Sequence, residues 1–496
     1  MNVAVGPPHG ELVAATGSNR ARLSRQAKTG RATRLAAGLY AVGAILPAEQ
    51  VARHHLNTIV SMYWPAAVFC GRTALAGGMP VSGAVYVAHP DPPRRSPLEL
   101  PGISIVPVDG PGRLVGDMTM PDGLAMAGPA RVLVENVTRR GRPARHQAGT
   151  AAVDDRIDEL ARSGGAGRIR TTLGQLDAIA PFFDRDAVST VRSRLAAVLG
   201  SLPESGLPAS GRLAARLAGT PFDSLRVTMI EELVDVLRQR SPTPVPANPP
   251  ARRWEWLAFF ESYFSNFIDG TEFGVDEARR IAVDGVVPTA RPQDAHDIVA
   301  TYQLASDPVE AARVPRSGEE LVAMLKARHG VLMAARDDKR PGEFKEVANF
   351  AGGYQFVEPP LVDGTLIEGF AAIEPLHSPI ARATAMMALV TECHPFDDGN
   401  GRVARLAANA ELSVAGEVRL MIPNVYRNNY LAALNGFSNR AGRGESLVAV
   451  LEFAQRWAAA VDWTTYEGAH AALLAANAYT DAGLADSTGV RLTMPP

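Results

Sequence analysis

The sequence predicts a mainly α protein with a smaller α+β module at its N-terminal end. Three observations carry this. Apolar residues recur at helical spacing through much of 151–240 and again from 253 to about 480. The first 150 residues are instead broken by Gly/Pro-rich turns into β-like pieces. Between the two helical stretches, residues 241–250 hold five prolines, which preclude a helix and favour a stiff, extended spacer.

Taken in order, residues 1–150 form the α+β module, with strands expected at Leu39 to Val42, Val81 to Ala88 and Ile103 to Val108. Residues 151–240 form a helical segment whose apolar positions include Leu160, Leu173, Leu176, Leu195, Leu199 and the run Ile230 to Leu237. Residues 241–252 are the linker, 253–480 a second largely helical domain, and 481–496 a flexible tail. No internal repeat is evident.

At 496 residues the chain is long for one domain, and 46% hydrophobic with 21% charged residues is a globular composition. A net charge of −2 sets up no global field demanding nucleic acid or membrane. Two cysteines, Cys70 and Cys393, provide neither a disulfide framework nor a metal cluster, which fits a cytoplasmic protein. The N-terminus lacks the pattern of a signal peptide, and no run has the apolar length of a membrane span, so no membrane partner is expected.

Residues 394–405, His-Pro-Phe-Asp-Asp-Gly-Asn-Gly-Arg-Val-Ala-Arg, concentrate the chemistry. Ser378-Pro379 signals a helix start, and Ile380, Met386, Met387 and Val390 are candidates for its buried stripe. His394-Pro395 should end that helix, because proline disfavours the helical region for the residue before it. Gly399, Asn400 and Gly401 then allow a tight turn, with a second helix expected from about Arg402 to Gly416. A Gly-rich turn opening a helix favours phosphate through its N–H groups and dipole. Arg402 and Arg405, three apart, share a helix face and suit two successive phosphates. Asp398 is a hard oxygen donor suited to Mg²⁺. His394, neutral near pH 7, can accept a proton from a hydroxyl. A calcium-loop reading fails on spacing, since loop position twelve would be Ala408 or Asn409 rather than Glu. A Cys393/His394 dyad also fails, because neighbours on a helix do not face one another.

This segment resembles the signature of the Fic family, HPF-x-[DE]-GNGR-x-x-R, at every specified position. The resemblance implies an all-helical Fic domain with a β-hairpin flap, and transfer of AMP from ATP to a Ser, Thr or Tyr hydroxyl of a target protein. It implies that His394 is the general base, that Asp398 holds Mg²⁺, and that Phe396 anchors the loop in the core. It assigns Gly399, Asn400, Gly401, Arg402 and Arg405 to the nucleotide phosphates. Gly401 places the chain with the adenylylating branch, since the phosphorylating branch has lysine there. Residues 254–270 look like the first helix of many Fic domains. Ser265, Asp269 and Gly270 fit the family's inhibitory motif [ST]-x-x-x-E-[GN] with Asp in place of Glu, one methylene shorter. Gly342 to Lys345 and Tyr354, Gln355, Phe356 and Val357 look like the two strands of the flap, which docks the target segment. Tyr426 to Leu434 look like the following helix, read either as a cover for the base or as scaffold. Family members are often dimers, so a homo-oligomer is allowed for.

Residues 18–34 hold six basic side chains (Arg20, Arg22, Arg25, Lys28, Arg31, Arg34) and no acidic one. The surrounding segment resembles the last helix and wing of AbiEi-type antitoxins, which implies DNA as a partner and a toxin–antitoxin-like regulator as the rival to the enzyme. A solvated basic face on a docking module is the other reading of these residues. Other readings of the Fic domain itself are a different nucleotide or phosphate donor, or removal of AMP.

Overall fold

The computed structural model describes residues 8–137, 144–200, 211–247 and 254–495. It divides into two compact units, 1–218 and 219–496.

In the first unit, strands β1 (Glu11–Ala14), β2 (Ala32–Ala36) and β3 (Leu39–Val42) form an antiparallel sheet in the order β1-β3-β2. The Arg20–Lys28 helix lies between β1 and β2 and buries only Leu23. All six basic residues of this stretch are exposed. A second, six-stranded mixed sheet follows, built from β4 (Val68–Phe69), β5 (Ala84–His89), β6 (Leu98–Leu100), β7 (Ile103–Asp109), β8 (Met118–Thr119) and β9 (Ala125–Met126). Its order is β6-β7-β5-β4-β9-β8. The three expected strands correspond to β3, β5 and β7, although Val81 makes only a bridge to Ala84 before β5 begins. Helices Thr150–Ile179 and Arg185–Val198 complete this unit around Leu160, Leu176 and Leu195.

The second unit is helical apart from one hairpin, β10 (Phe350–Ala351) and β11 (Tyr354–Gln355). Its core surrounds two helices, Pro379–Cys393 and Asn400–Val414, that pack along one another. Ile380, Met386, Met387 and Val390 are all buried, so the apolar stripe read from the sequence faces this core.

Three boundaries differ from the expectation. The Ser224–Arg238 helix, placed in the 151–240 segment by its position before the prolines, packs on the Val362–Ile373 and Pro379–Cys393 helices through Met229, Ile230, Leu233, Val234 and Leu237. Burial of that apolar face outweighs sequence proximity. Of the linker, residues 245–247 dock against 416–418, with Val418 N–H donating to Val245 O (2.9 Å) and Ala247 N–H to Gly416 O (2.9 Å). Residues 248–252 lie outside the described residues. The expected flexible tail contains a helix, Ala482–Thr488, capped by Asp481 and seated through buried Ala482 and Ala485. Trp457 Nε1–H also donates to Thr493 O (2.9 Å) beyond it.

Candidate active site

The Pro379–Cys393 helix ends at His394, whose backbone is left-handed (φ 48°, ψ 58°) rather than extended as the following proline predicts. Bonds from elsewhere in the chain hold this loop against that preference. Phe396 is fully buried and stacks on His329, with ring centroids 3.8 Å apart. His329 Nδ1 accepts from Gly342 N–H (3.0 Å), so its proton sits on Nε2, which donates to Asp398 O (3.2 Å). Burial lowers the His329 pKa to about 4 and keeps it neutral. Asn400 closes the loop, its Oδ1 accepting from Phe396 N–H and its Nδ2 donating to Phe396 O, both 2.9 Å.

Only one glycine makes the turn. Gly399 is left-handed (φ 73°) and caps the next helix, which begins at Asn400 rather than near Arg402. The first N–H groups of that helix lack intrahelical acceptors. Gly401 is required for a different reason: a Cβ there would lie 2.7 Å from Asp269 Oδ1 and 3.0 Å from Arg405 Nη1.

Asp269, just past the Trp254–Ile268 helix, reaches both arginines. Its Oδ1 is 2.9 Å from Arg405 Nη2 and its Oδ2 3.5 Å from Arg402 Nε. Arg405 is fixed further by Ser265, donating to its Oγ (2.8 Å) and its carbonyl (2.9 Å). Arg402 is buried, and its Nη1 lies 3.2 Å from Asp297 Oδ2, a carboxylate that Arg336 also grips at 2.8 Å. Arg402 Nε and Nη1 nevertheless lack aligned hydrogen-bond acceptors, so two buried guanidinium donors remain unsatisfied. Gly270, with φ 92°, ends the segment.

His394 Nδ1 lies 3.3 Å from Thr391 O, which places its proton there and leaves the Nε2 lone pair free. Burial, with the nearby Lys345 cation, lowers its pKa to about 4. Phe356 stacks on its ring at 3.9 Å. Asp398 is the more exposed acid, accepting from Gly399 N–H (2.6 Å) with its Oδ1 4.0 Å from Arg402 Nη2. A lone carboxylate suits a cation held mainly by phosphates and water, and among the described residues no group of three or more His, Cys, Asp or Glu forms a closed metal cage.

The flap differs in register from the sequence reading. Its first strand is Phe350–Ala351, because Gly342 to Lys345 are drawn into the catalytic loop instead. Tyr354 and Gln355 form the second strand, whereas Phe356 and buried Val357 follow it. Tyr354 OH donates to Glu392, and Arg226 caps Gln355 O. The helix after the motif begins at Arg427, where Tyr430 is buried with its hydroxyl on Met387 Sδ (3.3 Å) and beside the Arg405 guanidinium.

Residues 321–412 match the Fic/DOC family model. This part of the chain is a Fic domain. Among curated proteins, the chain is similar to Protein adenylyltransferase Fic of Drosophila grimshawi, 29% identical over 221 residues, covering 42% of this chain and 43% of the relative. The same protein of Drosophila virilis is 30% identical with the same coverage. The chain thus spans less than half the length of these relatives. Among solved structures, Fic-1 (aa134 - 508) from C. elegans matches with a TM-score of 0.36 and 15% identity, over 62% of this chain and 86% of that one. A Fic domain containing signaling protein from Bacteroides thetaiotaomicron also matches with a TM-score of 0.36, at 16% identity, over 47% and 95%.

Beyond the signature, the site enlists His329, Asn349, Asp297 and Glu392, which the sequence did not single out, and Lys345, which it placed in a flap strand. In the sequence, Glu392 stands out only as an acidic residue in an otherwise mostly apolar stretch just before the signature.

Proposed function

We propose that this protein transfers AMP from ATP to a hydroxyl side chain of a target protein. One observation carries the reading: Arg405 and Arg402 converge beside a helix N-terminus on an anionic group, and that group is the protein's own Asp269 carboxylate. The carboxylate stands in for a phosphate oxygen. Arg402, with Asn400 and Gly401, would take the α- and β-phosphates, and Arg405 the γ-phosphate. Asp398 would hold a Mg²⁺ ion, which would neutralise charge on the leaving pyrophosphate.

At phosphorus the reaction makes one bond and breaks one. The target oxygen bonds to the α-phosphorus, the bond to the β-phosphate bridging oxygen breaks, and pyrophosphate leaves. His394 Nε2 takes the hydroxyl proton. A pKa of about 4 makes His394 a weak base in the free protein. A bound triphosphate brings negative charge close to the imidazole and raises that value, so the base strengthens when substrate is present. The flap hairpin would align the target segment by strand addition.

Asp269 occupies the γ-phosphate position in this reading, and the protein is self-inhibited. Its shorter side chain suffices because Gly401 has no Cβ in the way. Labelling with ATP radioactive at the α-phosphate tests the proposal in bacterial lysate. Wild type, His394→Ala and Asp269→Gly are compared. Label that vanishes in His394→Ala and rises in Asp269→Gly supports it. No label from any form, with ATP binding intact, refutes it.

A second reading concerns the first unit. Arg20, Arg22, Arg25, Lys28, Arg31 and Arg34 are exposed, and no ion pair joins them to a carboxylate among the described residues. That supports a polyanion such as DNA as a partner of this face. Salt-dependent retention of the whole protein on duplex DNA, lost on replacing Arg20, Arg22 and Arg25 with alanine, is the expected result.

A further inference from the structure

Lys345 and Asn349 stand outside the signature, and they meet the backbone of the catalytic loop at every carbonyl from 393 to 396. Lys345 is 3% exposed. Its Nζ donates to Cys393 O (3.3 Å) and its own N–H to Pro395 O (2.9 Å). Asn349 Nδ2 donates to His394 O (3.3 Å) and Phe396 O (2.9 Å). The two side chains are joined, Lys345 Nζ to Asn349 Oδ1, at 2.7 Å. Burial lowers the lysine pKa to about 8.

Asn349 has a second task. Its carbonyl accepts from Phe356 N–H (3.2 Å), and the Phe356 ring lies flat on His394 at 3.9 Å. One residue therefore touches the loop bearing the base and the segment that leaves the flap. The next residue, Phe350, begins β10, the flap's first strand.

We propose that Lys345 and Asn349 are positioning residues that set His394 in register with the flap, so that a docked hydroxyl meets the imidazole at bonding distance. This inference rests on the adenylyl-transfer reading. The left-handed turn at His394 is uncommon for a residue with a side chain, and four gripped carbonyls supply what holds it there. The phosphate groups bind elsewhere, on the helix that starts at Asn400. Loss of the clamp should therefore slow transfer without weakening ATP binding.

The test uses the full chain in an Asp269→Gly background, with Asn349→Ala, Lys345→Met and Lys345→Arg. Two quantities are read: ATP affinity against the rate of AMP transfer, and amide hydrogen exchange in the 391–400 peptide. Asn349→Ala and Lys345→Met are expected to cut the transfer rate by about ten- to a hundred-fold. ATP affinity should stay within about two-fold, and exchange in 391–400 should quicken. Lys345→Arg keeps a donor for Cys393 O and should recover part of the rate. Exchange unchanged in both Asn349→Ala and Lys345→Met would overturn the clamp whether or not any form transfers AMP. Quickened exchange with an undiminished rate would overturn its role in positioning. Absence of transfer in the parent, with exchange quickened, would refute the adenylyl-transfer reading and the register role with it, leaving only a structural tie.

Discussion

Replacing Asp269 with alanine should make ATP bind more tightly while making the free protein less stable. The carboxylate pairs with Arg405 at 2.9 Å and approaches Arg402 at 3.5 Å, and both guanidiniums are buried. A charge-assisted contact of this kind contributes about 1.5–3 kcal/mol. If ATP must displace it, its removal returns that free energy to binding, and about 1.4 kcal/mol is a factor of ten. The dissociation constant should fall by about ten- to a hundred-fold. Without nucleotide the same change leaves the buried Arg405 short of an anion, at a cost of about 1–3 kcal/mol, whereas Arg402 keeps Asp297. Ser265 still holds Arg405, which keeps the cost toward the lower end. Isothermal titration with a non-hydrolysable ATP analogue and Mg²⁺ reads the first effect. Thermal melts with and without the analogue read the second, and saturating analogue should restore about 2.7 kcal/mol at a hundred times the dissociation constant. Affinity within about two-fold of wild type would refute the idea that Asp269 and the terminal phosphate compete for one place.

Three further outcomes are expected. His394→Ala should lower the rate of AMP transfer by about 10²–10⁴ while leaving the affinity for ATP unchanged, as single-turnover labelling and titration will read. His329 is held at a pKa of about 4 in the folded state against 6.5, so the unfolded chain binds its proton first as the pH falls. Its contribution should therefore reduce stability from about pH 6.5 down to about pH 4, by up to about 3 kcal/mol; urea unfolding of wild type and His329→Phe across that window should show a shallower slope for the variant. Tyr354→Phe leaves a buried Glu392 oxygen without its donor, should cost about 1–3 kcal/mol in urea unfolding, and should slow modification of a protein target more than it weakens ATP binding.

What could be read from the sequence was local. The helix–turn–helix that bears His394, Asp398 and Arg402 is encoded within one continuous stretch, where proline and glycine punctuate helical periodicity. Asp269 was legible for the same reason, since its motif is short and self-contained. The contacts that hold these pieces were not legible. His329 grips a backbone carbonyl 69 residues away, and Asn349 grips two that lie 45 and 47 residues away. Every residue has a carbonyl, so the acceptor leaves no trace in composition. Asp297 likewise looks like any polar residue of a helix until the fold sets it beside Arg402. Ala351-Gly352-Gly353 marks the flap's turn in the sequence, but its first strand is not Gly342 to Lys345, because Lys345 is buried against the catalytic loop. Strands β3, β5 and β7 are legible as apolar runs between turns, whereas the other N-terminal strands are not.

The Ser224–Arg238 helix bears on where this chain can be cut. A fragment begun inside the proline run would lose Ile230, Leu233 and Leu237 from the helical core, leaving an open apolar trough along the Pro379–Cys393 helix. It would also lose Arg226, whose guanidinium lies 5.0 Å from the Tyr354 ring and caps the adjoining carbonyl. Such a fragment would retain every residue of the signature and yet aggregate, and an inactive preparation would be blamed on the chemistry. A fragment begun at Gly219 keeps the helix and leaves the flap moored.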